Sequence, residues 1–61
     1  MWYYISKNRQ YVHVWDTLED AISAREKGDS QIAYTENLIP HLKYLQNTTI
    51  INHTDIVIIS N

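Results

Sequence analysis

Three histidines are the side chains in this sequence that could most directly bind a metal ion. They are His13, His41 and His53, separated by 28 and 12 residues. Small metal sites usually combine cysteines with histidines at short spacings, or place two histidines one turn apart on a helix. The chain has no cysteine and no such histidine pair. We therefore predict no metal site and assign the histidines to structural or surface roles.

The densest group of carboxylates, Asp16, Glu19 and Asp20, could in principle supply a general acid or base. Catalysis usually needs such a group to be buried beside a neighbour that favours its protonated form. These three instead lie at the start of a predicted helix, where free amides and the helix dipole favour the ionised form. No serine lies in a nucleophile motif, and a single glycine cannot build a phosphate-binding loop. We predict a protein that is not an enzyme and has no cofactor. Helix capping is the favoured role of these carboxylates, and an acidic face for a basic partner is the alternative.

Aromatic side chains alternate along two predicted strands near the N-terminus. Together with Lys7 and Arg9 they could stack on the bases of a single-stranded nucleic acid. They could equally form a protein interface, where Tyr, Trp and Arg are enriched, and the formal net charge of −2 favours this alternative. Burial by the C-terminal segment is a third alternative. The predicted interface residues are Trp2, Tyr4, Tyr11, His13 and Trp15.

A chain of 61 residues forms one domain, residues 1–61, with a small core. A domain of this size buries only about 60% of the surface that its unfolded chain exposes. Disulfides, metals or oligomerisation often add stability, and without cysteine a homodimer is the most available of these. The longest aliphatic run, residues 56–59, is far shorter than the roughly 20 residues of a membrane span. We therefore predict a cytoplasmic protein with no membrane partner.

The N-terminal part of the chain predicts a β-hairpin. Residues 1–6 and 11–15 are rich in aromatic and β-branched side chains, and the polar residues 7–10 suit the turn between them. Alternation along each strand separates the aromatic set from a second, more aliphatic face. We expect that second face to form the core, with Tyr3, Ile5, Val12 and Val14.

A helix is predicted to follow the hairpin and to end at Gly28, which tolerates the left-handed backbone that often ends helices. Asp16 can cap its first turn, with Glu19 completing a capping box. Thr17 with Asp20 is the alternative register, one residue later. Helical spacing predicts a buried stripe of Leu18, Ala21, Ile22 and the stem of Arg25.

The C-terminal half predicts one more helix and two or three strands. Residues 30–35 suit a short strand, and a second helix should begin at Asn37 and end near Asn47. The β-branched residues 56–59 suggest an interior strand, which could form a hairpin with residues 49–51. The order β-β-α-β-α-β(β) predicts an α+β fold. It would be a small two-layer sandwich, with a mostly antiparallel sheet, two helices on one face and the aromatic face uncovered.

The hairpin followed by DTLEDA at residues 16–21 resembles a module found in small inhibitor proteins of tailed bacteriophages, including inhibitors of bacterial RNA polymerase. In those proteins a helix that starts with Thr-Leu-acid-acid-Ala follows an aromatic and valine-rich hairpin. The resemblance implies a non-enzymatic factor, encoded by a phage or mobile element, that binds and inhibits a larger bacterial protein of transcription or defence. The alternatives are a small single-stranded nucleic-acid-binding module and an antitoxin-like partner of a toxin.

Overall fold

The computed structural model describes residues 1–36 and 48–57. These residues form one helix and four strands, and short turns connect the first three elements. The elements are β1 Trp2–Ile5, β2 Tyr11–Trp15, α1 Leu18–Ala24, β3 Ala33–Tyr34 and β4 Thr49–Asn52.

The four strands form a single mixed sheet in the order β3-β1-β2-β4. β1 is antiparallel to both of its neighbours, whereas β4 pairs in parallel with β2. The described residues thus contain one helix and a mixed sheet with two antiparallel pairs and one parallel pair, so the predicted sandwich of a mostly antiparallel sheet with two helices on one face is wrong. The physical reason is the long connection from β3, because it carries the chain from one edge of the sheet to the other and permits parallel pairing. The second helix predicted from Asn37 to Asn47 lies outside the described residues.

The predicted aliphatic core is confirmed at β2. Val12 and Val14 are fully buried, and they form one cluster with partly buried neighbours. Because both valines are β-branched and lie on an interior strand, their stiff side chains fit the pleated surface well. The partly buried side chains packed against them are Met1, Tyr3, Ile5 and Ile50.

Helix α1 begins in the second of the two predicted capping registers. Thr17 is the N-cap, and its hydroxyl accepts a hydrogen bond from the amide of Asp20 at 3.1 Å. The alternative with Asp16 as the cap is wrong. The helix also ends earlier than predicted, at Ala24, because Arg25 already has an extended backbone. Gly28 does have a positive φ of 96°, but in the turn that follows the helix.

The buried stripe of α1 is narrower than predicted. Ala21 is fully buried, whereas Leu18 and Ile22 are 40% and 59% exposed. The guanidinium of Arg25 turns back to the loop and donates to the carbonyl oxygens of Asp29 and Ser30. The helix therefore approaches the sheet through its smallest side chain and leaves its two large aliphatic residues at the surface.

We infer from the connectivity that α1 lies over the aromatic face of the sheet. β2 and β3 are parallel to each other with β1 between them, so α1 is the helix of a β-α-β crossover, and such crossovers are almost always right-handed. Tyr11 is hydrogen-bonded to the end of β1, since its carbonyl accepts from the amide of Ser6 at 2.9 Å. His13 and Trp15, two and four residues later, also direct their backbone groups toward β1. For L-residues, a right-handed crossover then places α1 on the side of Tyr11, His13 and Trp15. The burial of Tyr4, on this face but outside the valine cluster, agrees with that placement.

The chain after β4 turns sharply and does not form the predicted strand in its described part. The side chain of Asn52 accepts from the amide of Thr54 at 2.9 Å and donates to the carbonyl of Ile56 at 2.6 Å. Ile56 and Val57 are 52% and 85% exposed, so the prediction of an interior strand is wrong at these two residues. Residues 58–61 lie outside the described part.

Candidate functional site

Strand pairing brings the predicted aromatic residues together on one face of the sheet. Trp2 lies opposite Trp15 on one side and Tyr34 on the other, and Tyr4 lies opposite His13. We call this set the aromatic face: Trp2, Tyr4, Tyr11, His13, Trp15 and Tyr34.

The members of the aromatic face differ greatly in exposure. Tyr4 is only 2% exposed and therefore belongs to the interior. Trp2, His13 and Trp15 are half-buried, whereas Tyr11 and Tyr34 are 39% and 56% exposed. The predicted interface set is thus brought together by the fold, but Tyr4 cannot contact a partner while the protein is folded.

The rings of the aromatic face contact one another closely. The Tyr4 and His13 rings stack with centroids 5.2 Å apart, and Trp2 meets Tyr34 edge-on at 4.9 Å. His53, which follows β4, stacks on Trp15 at 3.9 Å with an angle of only 9° between the rings. Such stacked and edge-to-face pairs stabilise a fold beyond the area that they bury. The rings are therefore occupied with one another and do not form an open platform for bases.

His13 and His53 are joined by a hydrogen bond across the sheet. Nδ1 of His13 lies 3.1 Å from Nε2 of His53, and the rings are inclined by only 8°, so they meet edge to edge in nearly one plane. In neutral rings one of these nitrogens donates and the other accepts. Burial and the nearby His13 both lower the pKa of His53. The bond ties the turn after β4 to the centre of the sheet and requires at least one neutral ring.

We expect acid to weaken the fold through this histidine pair. Because the folded state lowers the pKa of His53 below its usual 6.5, the unfolded chain binds the proton more readily. Stability should therefore be constant above neutral pH, fall as the pH drops through 6.5, and stop falling below the folded pKa of His53. Urea midpoints measured at several pH values should show this slope.

His53→Gln is the control for the pH experiment, since glutamine keeps a polar side chain but does not titrate. In this variant the stability should depend less on pH near pH 6 than it does in the wild type. The hydrogen bond from the Glu26 amide is the main cause that lowers the pKa of Asp29. Asp29 therefore contributes to the pH dependence of stability only in a more acidic range, as the pH falls through 3.8. An identical slope in both proteins would show that the histidine pair does not control acid stability.

No protein-family model matches this chain, and no curated protein or solved structure matches it either. The resemblance to phage inhibitors stays a prediction. In the described residues, no group of three or more His, Cys, Asp and Glu side chains could hold a metal ion. Within the same residues, no helix is long and apolar enough to cross a membrane.

In the described residues the basic side chains lie at one end of the sheet, whereas carboxylates occur at both ends. β2, β3 and β4 run in the same direction, so the residues that follow them lie at one end. The opposite end carries the hairpin turn with Lys7 and Arg9 and the loop after α1, which holds Arg25 and Lys27 together with the carboxylates Glu26 and Asp29. The carboxylates that follow the three strands or begin α1 are Asp16, Glu19, Asp20, Glu36 and Asp55.

The outer surface of α1 combines aliphatic and acidic side chains. Leu18 and Ile22 are four residues apart, so both project from one side of the helix, and both are exposed. Glu19 and Asp20 are exposed in the first turn of the same helix, and no basic residue lies in its last turn. We call Leu18, Ile22, Glu19 and Asp20 the helix ridge. Sequence periodicity had assigned its two aliphatic residues to the core, so this surface was missed.

The sequence analysis also did not predict that Tyr34 joins the aromatic face or that His53 packs against it. His53 belongs to a turn, and its contact with Trp15 depends on the parallel pairing of β4 with β2. Tyr34 reaches Trp2 only because β3 occupies the edge next to β1. Alternation within one strand carries no signal for either contact.

Proposed function

We propose that this protein is a non-enzymatic binding factor that docks the helix ridge into an apolar groove of a larger bacterial protein and inhibits it. The observation that carries the proposal is the exposure of Leu18 and Ile22 one turn apart on α1. An amphipathic helix that binds a groove uses anchors at this spacing. Side by side and near carboxylates, the two side chains form a small apolar patch of the kind that contacts a partner.

The charges around the ridge define the chemistry of the partner. Asp16, Glu19 and Asp20 surround the start of α1 and favour a groove with Lys or Arg at its rim. A second copy of the chain would place carboxylate against carboxylate at this surface. The ridge therefore favours a different, basic partner over a homodimer, which we keep as one outcome of the experiment.

The resemblance to phage inhibitors concerns this same surface. Residues 17–21, which carry the Thr-Leu-acid-acid-Ala similarity, form the cap and first turn of α1. This coincidence supports a phage or mobile-element factor that acts in the host cytoplasm. The nucleic-acid alternative has less support, because the rings that would stack on bases are mutually packed and Tyr4 is buried.

The proposal is tested by capturing the partner and then measuring its affinity for purified variants. The tagged protein is incubated with nuclease-treated bacterial lysate, and a stoichiometric partner is identified and purified. Leu18→Ala with Ile22→Ala should weaken the binding of this partner about 100-fold, since each interface anchor contributes about 1.4 kcal/mol, or tenfold. Affinity should also fall with added salt, because complementary charges are screened.

Val57→Ala is the matched control, since it truncates an aliphatic side chain that is even more exposed but lies outside α1. It should leave the affinity unchanged, and circular dichroism should show that all variants remain folded. Equal affinity of the double variant and the wild type would refute the ridge as the interface. A protein that captures only itself, with a dimer mass unaffected by the double variant, would also refute it.

A further inference from the structure

A cleft lies at the basic end of the sheet, away from the acidic start of α1. It has a volume of about 350 Å³ and forms where the β1–β2 turn meets the loop after α1. A volume of this size is at the lower end of the range for small-molecule sites. The residues that line it are Ile5, Ser6, Lys7, Arg9, Gly28 and Ser30.

The two cations of the cleft have no charged partner. Neither the Lys7 ammonium nor the Arg9 guanidinium forms a hydrogen bond or ion pair with a side chain in residues 1–36 and 48–57. Arg9 also has a φ of 60°, a left-handed conformation that favours Gly or Asn over Arg. Arg25, by contrast, is committed to loop carbonyls. Lys7 and Arg9 are therefore available to bind an anion.

Hydrogen bonds between the hairpin and the loop after α1 hold the walls of the cleft in place. Ser30 donates its amide to the Ile5 carbonyl at 2.8 Å and accepts the Ile5 amide on its hydroxyl at 2.7 Å. The Asp29 carboxylate accepts the amides of Lys7 and Glu26, at 3.0 and 2.9 Å, and so fastens the loop to the hairpin. Because these walls are already ordered, less conformational entropy is lost when a ligand binds.

Gly28 lies against the stem of Lys7 in the wall of the cleft. A Cβ at Gly28 would lie 3.4 Å from the Lys7 Cβ, and its φ of 96° is unfavourable for other residues. The left-handed backbone at Gly28, rather than lack of space, is what favours glycine there. Lys7 is exposed, so its ammonium can reach a ligand at the mouth of the cleft.

We propose that this cleft binds a small phosphorylated ligand that carries hydroxyl groups, such as a sugar phosphate or nucleotide. Lys7 and Arg9 would bind the phosphate, and Arg can do so with two parallel hydrogen bonds. The Ser6 and Ser30 hydroxyls each accept one backbone amide, which leaves each an acceptor site for a ligand hydroxyl. The cleft is larger than a phosphate requires, so the rest of such a ligand fits. This inference is independent of the ridge proposal.

The experiment is a titration of the ¹⁵N-labelled full chain, followed by amide chemical shifts. The probes are inorganic phosphate, ribose 5-phosphate and adenosine 5′-monophosphate, added at constant ionic strength. We expect saturable shifts confined to the turn and loop around the cleft. Lys7→Gln with Arg9→Gln should raise the dissociation constant at least about tenfold, since it removes charge-assisted hydrogen bonds. Lys27→Gln, which removes an exposed cation outside the lining, should leave it unchanged.

The three probes separate the sources of the phosphate group. Tighter binding of the two esters than of inorganic phosphate supports an organic ligand seated in the cleft. Equal binding of all three would overturn the organic ligand and leave a site for free phosphate. Shifts that do not saturate, or that Lys27→Gln reduces as strongly as the double variant, would overturn the site itself. Each of these results is independent of partner binding at the helix ridge.

Discussion

Tyr4→Ala should remove about 3–5 kcal/mol of folding free energy, the loss typical of truncating a buried aromatic side chain. Tyr4 is 2% exposed and stacks on His13 in the middle of the sheet. A domain of this length has a total stability of only about 3–9 kcal/mol. Most of the variant should therefore be unfolded at 37 °C, as urea or thermal denaturation followed by circular dichroism would show.

Tyr11→Ala is the matched control for Tyr4→Ala. The same side chain is removed from the same face, but Tyr11 is 39% exposed and its ring lies 6.5 Å from that of His13. We expect a loss of only about 1 kcal/mol, the typical effect of a mutation without a special mechanism. If the two variants were equally stable, Tyr4 would not be the centre of a packed layer, and the aromatic face would be open.

The local parts of the fold could be predicted because they depend on neighbours in sequence. Alternation correctly placed Val12 and Val14 in the core and predicted β2 with its observed bounds. The sequence also predicted a capped start for α1, although two registers one residue apart satisfied the same capping-box pattern. Only the geometry at Thr17 decides between them, since its hydroxyl bonds the Asp20 amide.

The order and direction of the strands could not be predicted in the same way. The parallel pairing of β4 with β2 joins segments nearly forty residues apart, as the His13–His53 bond illustrates. Apolar alternation is the same for parallel and antiparallel edges, so it contains no information about this choice. The aromatic site depends on that choice, because His53 reaches Trp15 only through it.

The burial of α1 was mispredicted for a different reason. Helical spacing identifies which residues share a side of a helix, and it placed Leu18, Ala21 and Ile22 in one stripe without showing how much of that stripe the sheet would cover. Leu18 and Ile22 are larger and more apolar than Ala21, so hydrophobicity favoured a stripe that included them. The fold instead buries Ala21 completely and leaves those two residues exposed. A small side chain lets the helix lie close to a sheet whose own surface is already occupied by aromatic rings.

Ala21→Glu should therefore be the most damaging substitution in α1. The carboxylate would be forced into a space with no room and no described basic partner, and a buried, unpaired charge costs about 3–5 kcal/mol. We expect the variant to lose its cooperative unfolding transition at neutral pH. The loss should be partly reversed by acid near pH 5, where protonation of the new carboxyl removes its charge.

Ser23→Glu introduces the same charge on the same helix at an exposed position and is the matched control. Its stability should change by no more than about 0.5 kcal/mol. If both variants were folded and equally stable, Ala21 would not mark the contact between α1 and the sheet. Ala21 is the buried residue of α1, and Leu18 and Ile22, its neighbours on the helix surface, lie at the edge of that contact and stay 40% and 59% exposed. The stability of Ala21→Glu and the partner affinity of Leu18→Ala with Ile22→Ala thus test the same packing of α1, from its buried and its exposed side chains.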